Sequence, residues 1–415
     1  MIQYKEFQLD NELKVIVHED TSTPLAAVNI LYDVGARDEE EDKTGFAHLF
    51  EHLMFGGSKN IKSYDEPLQR AGGDNNAFTN NDITNYYVTL PAENLETAFW
   101  LESDRMLELD FSQRVLDVQK NVVVEEFKQR YLNQPYGDVW LLLRPLAYKV
   151  HPYRWPTIGK DISHIEKAIL KDVKDFFYKY YRPNNAIMVV AGNVKYEEVK
   201  KLVEKWFADI EKGPDNMRNL PKEPEQKEQR RIVEHKNIPV DAIYLTFHAP
   251  DRLSPNYHAM DLLTDDLSNG HSSRLYRRLV KEQKLFSELH AYQTGQIDGN
   301  LIVIEGKISN GVSIESAEAE IWSELEKLKQ DKIADDEITK LKNKMESTLE
   351  FSEMNVLNKA MNLAYYELLG NASDVNKEVD KYSAVTSEEI KQQAIKLFTK
   401  ENNSVLYYLK NGSNN

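Results

Sequence analysis

The sequence of 415 residues contains no cysteine. This absence excludes disulfide bonds, thiolate metal sites and a cysteine nucleophile together. The chain also lacks an uninterrupted apolar run long enough to span a membrane, and its first residues lack the basic and then apolar layout of a secretory signal. We therefore expect a cytoplasmic protein, or a periplasmic one if a leader was removed, with no membrane span. Any bound metal must be held by histidine, aspartate or glutamate.

Basic residues are also fewer than acidic residues. The chain has 52 Lys and Arg against 68 Asp and Glu, which gives a net charge of -16. Surfaces that bind nucleic acid are basic, so we expect no nucleic-acid partner. The negative charge would favour cationic peptides as substrates, although a solvated acidic surface is the simpler explanation.

The spacing of apolar residues predicts both strands and helices. Strands are predicted at 7–9, 13–17, 26–32, 76–79 and 85–90. Helices are predicted at 45–55, 64–71, 95–109 and 112–131. Because strands and helices do not simply alternate, this mixture predicts an α+β fold in which mostly antiparallel sheets pack against helices.

A charged segment at 213–231 carries three prolines and no apolar periodicity, which is typical of a linker. It divides the chain into predicted domains at 1–212 and 232–415. In each half a helix runs into an Asn-Asn pair and then into an apolar strand, at 173–190 and 390–408. This echo favours two similar α/β sandwich domains, and two unrelated domains with a common ending remain the alternative.

One segment carries residues with metal chemistry. His48 and His52 are spaced i and i+4, so on a helix both imidazoles lie on one face. With Glu51 they form H-x-x-E-H, the inverted zinc-peptidase signature, in which the glutamate is the general base acting on a metal-activated water. Zinc suits such nitrogen and oxygen ligands, and manganese and cobalt are also compatible with them. The same spacing also arises by chance on acidic surface helices, so a second feature is needed.

The surrounding sequence supplies that feature. Residues 47–58, AHLFEHLMFGGS, closely resemble the active-site helix of the pitrilysin-type metallopeptidases, the family of insulin-degrading enzyme and the mitochondrial processing peptidase. Their third metal ligand is a glutamate on a later helix, and residues 121–126, NVVVEE, match that helix. The resemblance therefore implies that Glu126 completes a site for one Zn²⁺ per chain.

Two further residues, Glu125 and Gln119, lie on the same predicted helix as Glu126. Glu125 would point about 100° away from Glu126 on the helix, so we expect it to face solvent or to support the ligands. Relatives often carry an acidic residue one or two turns upstream, where this chain has Gln119. The support of the metal ligands is therefore expected to differ.

The resemblance extends to a hairpin. Asn76, Ala77, Phe78 and Thr79 resemble the family's substrate-binding edge strand, to which an extended peptide adds as a further strand. From the residues alone this stretch is an ordinary hairpin with polar turns. The segments 151–153 and 157–159 also fit the family as structural support, and His151 and His164 are not expected to be ligands.

In the second half, residues 272–276 and 281–283 resemble a helix of the family's second domain. Many relatives carry there an arginine and a tyrosine that contact the substrate carbonyl, but the aligned positions hold Val280 and Ser287. Arg277, Arg278 or Tyr292 could serve only in a shifted register. Losing such an oxyanion donor costs about 3 to 4 kcal/mol of transition-state stabilisation.

The absence of this arginine and tyrosine predicts a partner chain. Half-size relatives resemble the processing peptidase, whose metal-bearing chain pairs with a sister chain. We therefore expect a dimer, in particular a heterodimer whose sister chain supplies the Arg and the Tyr. The leading hypothesis is a zinc endopeptidase for short or unfolded peptides. The alternatives are a non-catalytic partner subunit and a zinc hydrolase of a non-peptide substrate.

Overall fold

The computed structural model of the chain describes residues 1–412. Its strands are β1 Lys5–Gln8, β2 Lys14–Glu19, β3 Leu25–Tyr32, β4 Asp74–Thr79, β5 Thr84–Pro91, β6 Ala186–Gly192, β7 Arg230–Lys236, β8 Ala242–Ala249, β9 Phe286–Gln293, β10 Asn300–Ile308 and β11 Asn403–Lys410. Its α-helices are α1 Phe46–Leu53, α2 Asp65–Arg70, α3 Leu95–Leu107, α4 Gln113–Phe127, α5 Val139–Ala147, α6 Ile162–Glu166, α7 Leu170–Tyr180, α8 Tyr196–Phe207, α9 Tyr257–Ser268, α10 Ile314–Gln330, α11 Asp335–Ser352, α12 Val356–Leu368, α13 Glu378–Ala384 and α14 Ser387–Leu397.

The strands form two sheets of matching topology. The first sheet has the order β1-β2-β6-β3-β5-β4 and the second has the order β7-β11-β8-β10-β9. Each sheet contains one parallel pair, β2 with β6 and β7 with β11, and all its other pairs are antiparallel. The predicted α+β fold with two mostly antiparallel sheets packed against helices is confirmed.

Packing divides the described chain into two compact units that are not continuous in sequence. The first unit comprises 1–129, 155–220 and 349–377, and the second comprises 130–154, 221–348 and 378 onward. Each unit therefore contains one segment from the opposite half of the sequence. The domain boundaries predicted from the sequence, 1–212 and 232–415, stay a prediction. Residues 413–415 of the predicted C-terminal domain lie outside the described residues.

The exchanged segments are helices that cover the sheets. In the first unit, α12 places Ala360, Leu363 and Ala364 in a buried cluster with Leu31 of β3 and Val189 of β6. In the second unit, α5 packs on the sheet in the same way. Its buried residues Val139, Leu143 and Leu146 join a cluster with Ala242 of β8 and Leu406 of β11.

The predicted linker contains no helix or strand before β7 begins at Arg230. Its side chains nevertheless anchor it within each unit. Arg218 forms ion pairs with Asp33 (2.7 Å) and Asp38 (2.6 Å) in the first unit. In the second unit the carboxylate of Glu223 accepts hydrogen bonds from the backbone N–H groups of residues 149–151.

The predicted helix at 112–131 changes its geometry before its end. The α-helix stops at Phe127 and the chain continues as a π-helical turn, Lys128–Leu132. None of the helices in residues 1–412 combines the length and the hydrophobicity needed to cross a bilayer.

Candidate metal centre

Helix α1 is amphipathic over only two turns. Its apolar side chains at Phe46, Leu49, Phe50 and Leu53 are buried. The Phe50 ring stacks on Tyr181 with ring centroids 4.9 Å apart. The opposite face carries the three residues of the H-x-x-E-H signature, which are half-buried, so the aromatic contact orients the polar face of α1.

Helix α4 brings the third side chain to that face. Ser112 caps its N-terminus, because the Ser112 hydroxyl accepts a hydrogen bond from the backbone N–H of Val115 (3.3 Å) and so satisfies one of the free donors of the first turn. Val123, Val124 and Phe127 bury one side of its last turns, and α4 packs against α1. Glu126 therefore lies next to α1, directly before the π-helical turn, a geometry that recurs at functional sites.

The three predicted ligands converge. One Glu126 carboxylate oxygen lies 3.3 Å from His52 Nε2 and 3.7 Å from His48 Nε2. A ligand atom from each residue lies within 4.8 Å of the others, and among the described residues this is the group of three or more that could hold a metal ion. The two imidazole rings are nearly perpendicular, at 86°.

This donor set fits zinc. At zinc–ligand distances of 2.0 to 2.2 Å, ligand atoms on a tetrahedron are about 3.4 Å apart. The separations of 3.3 Å and 3.7 Å are close to that value. Two imidazoles and one carboxylate are also the ligand types of catalytic zinc sites, which leave one position for water or substrate.

Glu51 lies on α1 between the two histidines and beside Thr79 of β4. Burial raises the pKa of its carboxyl group, and the neighbouring Glu126 adds to that increase. The polar groups of Thr79 and the imidazole of His52 oppose the shift in pKa. A carboxyl group whose pKa is raised toward neutrality is a stronger base when ionised, which is what proton abstraction requires.

Other polar residues singled out in the sequence have partners elsewhere. Glu125 is exposed and pairs with Lys128 (2.8 Å). His164 Nδ1 accepts a hydrogen bond from the backbone N–H of Thr44 (3.1 Å), and His151 Nδ1 accepts one from the N–H of Tyr153 (3.2 Å). None of these three side chains belongs to the metal group.

Strand β4 lies at one edge of the first sheet and pairs with β5. Along it Asn76 and Phe78 are exposed, whereas Ala77 and Thr79 are half-buried. Of these four predicted substrate-binding residues, the structure brings Thr79 to Glu51. The other three lie on the same edge strand, and their role in substrate binding stays a prediction.

The two aligned positions of the second half hold no group that could replace Arg and Tyr. Val280 lies in a π-helical turn, Tyr276–Glu282, and is apolar. Ser287 lies in β9, and its hydroxyl donates a hydrogen bond to the backbone carbonyl of Lys307 (3.3 Å).

Two of the three candidates from a shifted register, Arg278 and Tyr292, are engaged within the second unit, whereas Arg277 is exposed. Arg278 pairs with Glu282 (2.9 Å). The hydroxyl of Tyr292 donates a hydrogen bond to Glu305 (3.2 Å), and burial raises the pKa of that phenol. Both side chains therefore have local acidic partners.

Sequence reasoning missed Glu39, which contacts the start of α1. Its carboxylate accepts hydrogen bonds from the backbone N–H groups of Gly45 and Ala47. A cap normally comes from the residue directly before a helix, but Gly45 occupies that position. The glycine before the motif was the signal that another residue must cap α1.

Comparison with known proteins found a matching family model for each half of the chain. The sequence model described as Insulinase (Peptidase family M16) matches residues 14–150, and the one described as Peptidase M16 inactive domain matches residues 167–345. A zinc protease from Helicobacter pylori named PqqE is 33% identical over 346 residues, which cover 82% of this chain and 78% of that protein.

Two further similarities extend this result. The probable mitochondrial-processing peptidase subunit beta of Arabidopsis thaliana is 22% identical over 356 residues, which cover 82% of this chain and 66% of that protein. The crystal structure of a protease from Helicobacter pylori has a TM-score of 0.92 and 28% identity, and the match covers 98% of this chain and 100% of the solved chain. The similarity thus spans both units.

Proposed function

Because the chain belongs to the M16 peptidase family, we propose that it is a zinc endopeptidase that hydrolyses short or unfolded peptides. The observation that carries the proposal is the convergence of His48, His52 and Glu126 within 4.8 Å of one another, with Glu51 beside them. Similarity to the zinc protease PqqE supports the same metal. The predicted cytoplasmic location stays a prediction.

In this proposal His48, His52 and Glu126 hold one Zn²⁺. When bound, zinc supplies a Lewis acid that polarises the scissile carbonyl and lowers the pKa of water. Glu51 accepts the proton of the attacking water and passes it to the leaving amine. Its partial burial beside Thr79 keeps the carboxylate at the reacting centre.

Peptide recognition is assigned to β4. Asn76, Ala77, Phe78 and Thr79 would bind an extended substrate by main-chain hydrogen bonds along the outer edge of this strand. Such bonds do not depend on side chains, so they suit substrates of varied sequence. The requirement for an extended segment would exclude folded proteins.

Glu51→Gln tests the assignment of the base. The amide cannot accept the proton, so we expect kcat for a peptide to fall by about a hundredfold or more, while one zinc per chain is retained. Glu125→Gln is the matched control. Glu125 directly precedes Glu126, but its side chain is exposed and pairs with Lys128. Unchanged turnover in Glu51→Gln would remove this mechanism.

We also propose that a sister chain completes the active site with an Arg and a Tyr. Val280 and Ser287 stand at the aligned positions, and Arg278 and Tyr292 have acidic partners of their own. The Arabidopsis relative is named as the beta subunit of a peptidase, which supports a paired assembly. Ordinary peptidase rates from the purified chain as a monomer or homodimer would contradict this proposal.

A non-catalytic partner subunit is the second candidate. It is favoured by the match of residues 167–345 to a domain described as inactive. The retained set of two histidines and two glutamates weighs against it. Metal analysis separates the two functions, since a chain without stoichiometric zinc would support the non-catalytic role.

A further inference from the structure

The carboxylate of Glu39 stands at the start of the helix that carries both histidines. It is 7% exposed and follows a short 3₁₀ turn, Ala36–Asp38. Its two oxygens accept one hydrogen bond each, from the backbone N–H of Gly45 (2.9 Å) and from that of Ala47 (2.9 Å). This carboxylate therefore bridges the helix cap and the second residue of α1.

Helix α1 needs such a partner. It has only eight residues, a length at which an isolated helix is unstable in water. The first N–H groups of a helix lack intrahelical acceptors, and Gly45 has no side chain to supply one. Ala47 directly precedes His48, so the hydrogen bond to Glu39 restrains the backbone next to the first ligand.

The supports of Glu39 are themselves held in place. The indole N–H of Trp155 donates a hydrogen bond to the carbonyl of Ala36 (3.0 Å), which secures the turn before Glu39. Gly45 adopts a left-handed φ of +90°, and a Cβ there would lie 2.7 Å from the carbonyl oxygen of Ile158. The entry to α1 therefore has little freedom to shift.

Keeping this carboxylate buried has a cost. Burial raises the pKa of Glu39 to about 8, although the hydrogen bonds from Gly45, Ala47 and Trp155 oppose that shift. Burying an acid is unfavourable unless its hydrogen bonds compensate. Groups perturbed in this way are concentrated at functional sites, and Glu39 makes its contacts one residue from a ligand.

We propose that Glu39 is a positioning residue of the metal centre, which sets the start of α1 and thereby the direction of the His48 and His52 imidazoles. The inference rests on the proposed metal set. It does not require that the protein cleave peptides.

Glu39→Gln tests the proposal in the full chain, stripped of metal and reloaded. Glutamine replaces one of the two acceptor oxygens by an NH₂ group, which cannot accept the hydrogen bond of the backbone N–H that faces it. We expect zinc affinity, measured by competition with a chelator, to fall about tenfold, as for other residues that orient ligands. With cobalt in place of zinc, the visible absorption spectrum should change, because the ligand geometry changes. Glu40→Gln is the matched control, since Glu40 is 72% exposed.

Wild-type affinity and an unchanged cobalt spectrum in Glu39→Gln would overturn the proposal. If that variant does not fold, amide hydrogen exchange of the metal-free wild type decides. The amides of Gly45 and Ala47 must then exchange more slowly than those of Glu41 and Asp42, and equal rates would equally overturn it. Neither readout uses a substrate, so a wild type that binds zinc without cleaving peptides would refute the proposed activity and leave this result intact.

Discussion

Five strands of the sheet that ends at β4 have the same order and directions as the five strands of the sheet that ends at β9, and β1 is an additional strand of the first sheet. In both, the middle strand leads through a loop to an α-helix, α1 after β3 and α9 after β8. Both helices also place an acid near the edge strand. Glu51 lies beside Thr79 of β4, and Asp261 accepts a hydrogen bond from Gln293 of β9 (2.8 Å).

The two helices differ in where their polar side chains find partners. In α9, His258 lies 2.9 Å from the carboxylate of Glu378, which also pairs with Arg252. In α1, His48 and His52 converge with Glu126 on a common point that a cation can occupy. The same backbone topology thus supports an internal ion pair in one unit and a candidate metal centre in the other. The chemistry is decided by side chains, and the sheet supplies only their positions.

The largest expected effect is the loss of zinc binding when a histidine of α1, and not one of α9, is replaced. His52→Ala removes a proposed ligand, so zinc affinity should fall by more than about a hundredfold, because even residues that only support ligands contribute 10 to 100-fold. His258→Ala should keep one zinc per chain and lose stability instead. Metal analysis and thermal unfolding of both variants provide the measurement, and equal zinc loss in the two would break the comparison.

The exchanged helices predict the next largest effect. Leu363 of α12 and Leu143 of α5 are both fully buried against a sheet. Leu363→Ala and Leu143→Ala should each lower the free energy of unfolding by about 2 to 5 kcal/mol, because each leaves a cavity. Urea denaturation measures both. A negligible loss in either variant would mean that its helix does not cover its sheet as the other does.

A smaller effect tests the repeated asparagine. Asn185 donates hydrogen bonds to the carbonyls of Tyr180, at the end of α7, and Asp33, just after β3. Asn402 does the same for Leu397, at the end of α14, and His248 in β8. Replacing either asparagine by alanine removes two hydrogen bonds to backbone carbonyls. We expect a similar loss of about 1 to 3 kcal/mol in each variant, and clearly unequal losses in denaturation experiments would weaken the case for a duplication.

The smallest effect concerns acid sensitivity in the first unit. An ion pair between Lys359 of α12 and Asp20 (2.7 Å) lowers the pKa of the Asp20 carboxyl. Because the folded pKa lies below that of the unfolded chain, near 3.9, this stabilisation is present above about pH 4 and is lost as the pH falls further. Asp20→Asn should cost about 1 kcal/mol at pH 7. The difference from wild type should shrink toward pH 3, and a difference that grows would contradict the assignment.

Local pattern was sufficient for much of the fold around the site. Apolar periodicity predicted α1, α4 and the β4–β5 hairpin, because each buries one face against the same core. The helical spacing of His48 and His52 predicted that their side chains share a face. The convergence of Glu126 required the resemblance to a family, since the packing of α4 on α1 is a tertiary contact that spacing does not encode.

Two features were beyond sequence reasoning for a physical reason. An amphipathic pattern shows that α5 and α12 each have a buried face, but it does not say which sheet covers that face. The contacts of α5 with β11 and of α12 with β3 join residues far apart in the chain. Glu39 was missed because its carboxylate reaches α1 from a separate turn, so the usual capping pattern of neighbouring residues is absent.

The helix exchange also governs the order in which the protein can mature during synthesis. The strands of the first sheet and all four residues of its proposed active site have been synthesised by residue 192. The helix that covers the sheet ends only at Leu368. Until then the apolar face formed by β3 and β6 is open to water and to other nascent chains. The first unit can therefore be completed only after its last segment, 349–377, has been translated.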